Sequence, residues 1–240
     1  MKTDTYKING YLLFGLVLLL TCSLPVLGHW VQGISLVASF PSALNSQLVY
    51  QPVTLLIALV FIWLLKVARP SVFRTYFQKG KIDAPITPVP ALFIKPKAGR
   101  NWLHEGRDFA LVISVVTAII IYLQVIHGEG IEPAMLWKIL PFSLLFSLTN
   151  AFVEESITRV GVIVALKGVF SDQMLPFISG AVFGAVHYWG SPVGIAGVLA
   201  AGFLGWLLAK SILETKGIFW AWLIHFLQDV IILTALFISK

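Results

Sequence analysis

Residues 150–163 read NAFVEESITRVGVI, two adjacent carboxylates and an arginine inside an otherwise apolar run. On a helix, Glu155 and Arg159 stand four residues apart, share a face and can pair. Glu154 lies about 100° round the helix from Glu155, with Thr158 one turn along. The two carboxylates can therefore differ in role: one is neutralised by Arg159, and the other is left as the free carboxylate that a general base requires. Further on, His187 ends the string FGAVH, one turn after Phe183. His225 and Asp229, in HFLQD, again share a face at i and i+4. An aspartate one turn from a histidine can orient the ring and fix its tautomer. The same pair equally suits a proton relay.

Each of these residues has a plainer reading. A buried Glu–Arg pair is often a structural clamp, and a lone histidine on an apolar helix is commonly a packed residue. Their coincidence argues otherwise. An ionisable group at membrane depth costs at least ~2.5 kcal/mol on insertion scales and usually faces an interior with work to do. Glu154, Glu155, Arg159, His187, His225 and Asp229 fall on three neighbouring apolar segments with almost no other charge, and their polar faces are expected to converge.

The elements that must hold them are membrane helices. The chain has 240 residues, 58% hydrophobic and 12% charged, with a mean hydropathy of +0.89; a soluble domain carries about 25% charged residues. Segments of this kind cross a bilayer as a helix bundle, because each helix satisfies its own backbone hydrogen bonds. The fold class is all-α, a polytopic transmembrane bundle of seven or eight helices. Spanning runs are expected at about 10–28, 51–68, 109–127, 174–190, 192–212 and 217–238. The stretch 137–170 is either one helix of about 50 Å or two helices broken near Asn150. The first run, preceded by Lys2 and Lys7, resembles a signal peptide but is long and lacks a small-x-small cleavage site; a retained helix is expected.

The net charge of +6 does not point to nucleic acid, because nine of the 17 Lys and Arg lie between Lys66 and Arg107. That clustering marks one cytoplasmic loop, at about 66–108, with Phe73, Tyr76 and Phe77 as candidate headgroup anchors. Segment 28–51 reads as an external loop, as does 128–135 with Glu129 and Glu132. Lys167, Lys210 and Lys216 suggest further cytoplasmic ends. Cys22 is the sole cysteine, which excludes an internal disulfide and a cysteine metal cluster. The C-terminal half is rich in small residues: Gly180 and Gly184 form a GxxxG pair, continued by Gly197, Ala201 and Gly205, and such spacing lets backbones approach closely in lipid. The chain divides into N-terminal helices over 1–137 and a core over 138–240. Trp189, Trp206, Trp220 and Trp222 read as interfacial or packing residues, and His29, His104 and His127 as uninvolved.

Taken in order, E-E-x-x-x-R at Glu154–Arg159, F-x-x-x-H at Phe183–His187 and H-x-x-x-D at His225–Asp229 resemble the three-part pattern of the CAAX-processing and bacteriocin-processing intramembrane proteases, the CPBP or Abi family, which includes the type 2 CAAX prenyl proteases. The resemblance covers roughly residues 138–238. It implies an endopeptidase within the membrane in which Glu154 and His187 activate a water, His225 and position 229 stabilise the oxyanion, and Glu155 and Arg159 support them. Asp229 departs from the asparagine of the eukaryotic members; an ionised aspartate cannot donate to an oxyanion, so Asp229 is read as orienting His225. Thr158 before Arg159, and glycine at 161 rather than 160, are smaller departures.

Glu154, His187, His225 and Asp229 are also competent zinc ligands. No H-E-x-x-H pair is present, so catalysis without a cofactor is read first and zinc second. The expected partners are the bilayer and a membrane-associated peptide or protein tail, with no nucleic acid. The expected location is the plasma membrane. Two rivals stand beside the protease: a non-catalytic scaffold or bacteriocin-immunity protein, and a proton-coupled transporter. Intact motifs argue against the first, and the lack of clear inverted repeats argues against the second.

Overall fold

The computed structural model describes residues 2–128, 130–190 and 192–239, with side chains from residue 6 onward; Glu129 of the expected external loop lies outside these. The elements in order are α1 (Lys2–Trp30), α2 (Ser42–Ala68), α3 (Pro70–Tyr76), α4 (Trp102–Ile121), α5 (Leu136–Glu154), α6 (Gly161–Leu166), α7 (Met174–Val186), α8 (Gly194–Thr215) and α9 (Phe219–Ile238). Among the described residues there is no strand, and six helices are long and apolar enough to cross a membrane. The protein is an all-α, integral membrane bundle.

Three expected elements differ, the first being the external loop expected at 28–51, where α2 already begins at Ser42. The stretch from Pro133 to Leu166 is one continuous helix with no break at Asn150. Its irregularity is a π turn over Glu155–Val160, which joins α5 to α6. Such wide turns are rare and occur frequently at functional sites. Asn150 does not break the helix because its side chain is engaged with other side chains and does not compete for the backbone. The run 174–190 is also shorter than a span: Met174–Trp189 is a short apolar helix. It stops where Gly190, Pro192 and Gly194 follow, the last at φ +75°.

The small residues act as their spacing predicts. A Cβ on Gly180 would stand 2.6 Å from the Gly202 carbonyl oxygen, and one on Gly184 would stand 2.7 Å from that of Val198. Helices α7 and α8 therefore pack backbone to backbone. Every residue of α6 is buried, with Gly161 against Phe61 of α2 and Val17 of α1. Helix α1 is tied into the bundle at its start: Tyr6 Oη donates to the Lys167 carbonyl at 2.8 Å, and Arg69 donates to the Tyr6 carbonyl at 2.6 Å while lying 3.9 Å over the Tyr6 ring.

The basic segment after α2 folds back onto the α8–α9 turn. Lys81 N–H donates to Thr215 O at 2.7 Å, Ile218 N–H to Gln78 O at 2.8 Å, and Trp220 Nε1 to Ile82 O at 2.8 Å. Gly80 (φ +79°) passes Gly217 so closely that a Cβ there would clash at 2.6 Å. Phe73 and Tyr76, expected at the headgroups, are buried in the protein core, because α3 packs against α2 and α6. Trp206 and Trp220 are also buried packing residues, whereas Trp189 is exposed. One end of the bundle thus collects Tyr6, Arg69, Lys167, the basic segment and the α8–α9 turn. At the other end Glu132 N–H donates to Ile238 O at 2.9 Å, so the chain's last helix finishes away from the basic segment.

Candidate active site

The π turn presents Glu155 and Arg159 inward, both with side chains 0% exposed. Arg159 Nε lies 3.2 Å from Glu155 Oε1. The same oxygen accepts from His225 Nδ1 at 2.7 Å. The guanidinium lies 3.6 Å over the Phe183 ring and donates to Thr158 Oγ1. Thr158 in turn donates to the Glu154 carbonyl at 2.6 Å, and Ser179 of α7 donates to the Thr158 carbonyl at 3.0 Å. Glu155 Oε2 and Arg159 Nη2 are buried with no hydrogen-bond partner among the described residues. Burying such a pair costs desolvation that the Coulomb attraction only partly offsets, so stability alone is a poor account of it.

Glu154 is placed differently. Its side chain is 15% exposed and lies on a cavity wall. Oε1 accepts from Asn150 Nδ2 at 3.2 Å, and Oε2 stands 3.5 Å from His225 Nε2. Asp229 mirrors this arrangement: Oδ2 accepts from Asn150 Nδ2 at 3.1 Å, and Oδ1 stands 3.6 Å from His225 Nε2. The two carboxylates and the two nitrogens form a closed ring. The hydrogen bond that orients His225 comes from Glu155, across helices, while the Asp229 contact on its own helix is too long for one.

His187 joins the group through Phe183. Its Nδ1 donates to the Phe183 carbonyl at 2.8 Å, which in the neutral ring leaves Nε2 with its lone pair. The Phe183 ring centroid is 4.1 Å from that of His187 and 5.7 Å from that of His225. One aromatic side chain therefore seats two histidines and an arginine. Asn150 and Tyr50 belong to the site although no motif marks them. Asn150 precedes Glu154 by four residues, and Tyr50 reaches the cavity from α2.

The cavity has a volume of about 1180 Å³ and takes its walls from α1, α2, α4, α8 and α9 as well as from the motif helices. Glu154, His187, His225 and Asp229 share its lining with many aliphatic side chains. As placed, no three His, Cys, Asp or Glu side chains among the described residues are grouped to hold a metal ion. His225 Nδ1 is committed to Glu155, which leaves Nε2 as the ring nitrogen facing Glu154 and Asp229.

Residues 135–231, less than half of the chain, match the model of the family described as type II CAAX prenyl endopeptidase Rce1-like. The match spans all three motifs. Over this segment the chain is similar to that family of endopeptidases. No curated protein and no solved structure matches the chain.

Proposed function

We propose that the protein is an intramembrane endopeptidase that hydrolyses a peptide bond in a membrane-associated peptide or protein tail, with Glu154 and His187 activating the water. The observation that carries this reading is the unequal fate of two adjacent carboxylates. Glu155 is consumed by Arg159 and His225, whereas Glu154 faces the cavity, held by one amide donor. Amide hydrolysis needs a base for water and donors at the developing oxyanion. Glu154 accepts the water proton as the oxygen attacks the carbonyl carbon, and returns it to the departing nitrogen. His187 Nε2 is the second acceptor beside the attacking water. His225, with Nδ1 held by Glu155, is the donor to the oxyanion through Nε2 when the ring is protonated on both nitrogens. Asp229 has no N–H to offer and acts on the His225 side of the ring.

The aliphatic lining of the cavity suits an apolar stretch of substrate next to the scissile bond. Residues 138–240 form the catalytic unit, and the N-terminal helices complete its walls. The proposed steps use this chain's own side chains and are written without a metal. The end of the bundle bearing the basic segment faces the cytoplasm, and the host membrane is the plasma membrane.

The test is comparative peptide mass spectrometry on cells lacking the protein, complemented with wild type or Glu154→Gln at matched membrane levels. A membrane or secreted peptide trimmed only with wild type supports the proposal and identifies the substrate. If the variant restores everything the wild type does, Glu154 is not a base and a scaffold or immunity role replaces the protease.

A further inference from the structure

We infer that Gln51, on α2 and far outside the family-matched segment, is a positioning residue that fixes the Asn150 amide and through it the Glu154–Asp229 pair. This rests on the protease reading for its effect on rate but not for its structural content. Asn150 Nδ2 spends its two N–H donors on two different carboxylates, at 3.2 and 3.1 Å. An amide turned the other way would face both carboxylates with its oxygen, so its orientation decides whether the pair is held or repelled. On the opposite side, Asn150 Oδ1 faces Gln51 Nε2 at 3.5 Å.

Gln51 is itself set. Its Nε2 donates to Gln47 Oε1 at 2.8 Å, and its Oε1 accepts from Thr149 Oγ1 at 2.6 Å. The result is a one-way relay across three helices, from Thr149 through Gln51 and Asn150 to the carboxylates of α5 and α9, with Gln47 accepting the other Gln51 N–H. Gln51 is buried and does not line the cavity, whereas Asn150 does. Gln51 therefore cannot act by touching substrate. A buried amide on an apolar helix leaves unmet donors and acceptors unless its whole network is satisfied, and here every polar atom of Gln51 has a partner.

The test is a double-mutant cycle on the full chain in phosphatidylcholine–phosphatidylglycerol vesicles, using near-isosteric Gln51→Met and Asn150→Leu. The neighbouring buried Thr54 bonds only its own helix backbone, so Thr54→Val is the packing control. The substrate is the peptide identified in the cell comparison. The expected result is a loss of kcat of about tenfold for Gln51→Met with KM unchanged. A larger loss for Asn150→Leu should be barely deepened in the double variant, and Thr54→Val should stay at the wild-type rate. Rates for Gln51→Met within twofold of wild type, or additive losses, overturn the inference. The same cycle read in melting temperature needs no substrate. Coupled shifts there support the relay even if wild type cleaves nothing and the protease reading falls, and additive shifts overturn it.

Discussion

Two charged pairs at the same i,i+4 spacing, Glu155–Arg159 and Lys210–Glu214, sit in different surroundings and end in different states. Glu214 is fully satisfied. One oxygen takes Lys210 and the other accepts from Trp102 Nε1 at 2.7 Å, with Thr87 N–H 3.3 Å away. It pins the basic segment and the start of α4 to the end of α8, at the edge of the bundle. Glu155 is deeper, keeps one oxygen without a partner, and gives the other to both Arg159 and a histidine that faces the cavity. The first arrangement is a latch, whereas the second, on the proposed function, is a bracket for chemistry. Spacing alone made them alike; what distinguishes them is what lies beyond the pair.

That contrast can be broken or sharpened by substitution. The largest change in rate short of removing the base is expected for His187→Gln, which takes away the acceptor beside the attacking water. Cleavage should fall by about 10³-fold while the melting temperature in vesicles holds. Next comes Glu155→Ala, which leaves Arg159 charged and unpaired in a dry interior. A loss of about 3–5 kcal/mol is expected, read as a fall in unfolding midpoint and in folded protein recovered from membranes. A smaller effect is expected for Phe183→Leu, which removes the shared aromatic seat. The cation–π contact is worth about 2 kcal/mol when desolvated, and cleavage should drop about tenfold or more. The smallest belongs to the latch. Glu214→Ala should cost about 1 kcal/mol, speed limited proteolysis within residues 78–100, and leave cleavage within a few-fold of wild type. If Glu214→Ala abolishes cleavage or lowers the unfolding midpoint as much as Glu155→Ala, the distinction between latch and bracket is wrong.

Much of this was legible before the structure. Charge depletion and hydropathy dictate a membrane bundle, and the small residues at 180, 184, 197, 201 and 205 mark the close-packed helices because backbone contact in lipid requires them. The spacing of Glu154, Glu155, Arg159, His187, His225 and Asp229 was enough to nominate one site. The rest was hidden for physical reasons. Periodicity cannot reveal the π turn at 155–160, because every residue there is buried and no face stands out. The orienting partner of His225 was sought on its own helix, at Asp229, but Glu155 reaches it across helices. Asn150 looked like a breaker, yet its side chain bridges two carboxylates. Gln51 carries no local signal at all, since its partners come from another turn and another helix. The burial of Phe73 and Tyr76 depends on α3 folding back, a tertiary event with no short-range pattern.

The central claim is that Glu154, not its neighbour, moves the proton. It is tested most directly by single-turnover cleavage of the identified peptide by the purified full chain in vesicles, comparing wild type with Glu154→Gln at equal folded fraction. The account predicts that Glu154→Gln keeps the wild-type melting temperature and binds the peptide but forms almost no product. Cleavage by Glu154→Gln within tenfold of wild type would contradict it and move the base elsewhere in the ring of carboxylates.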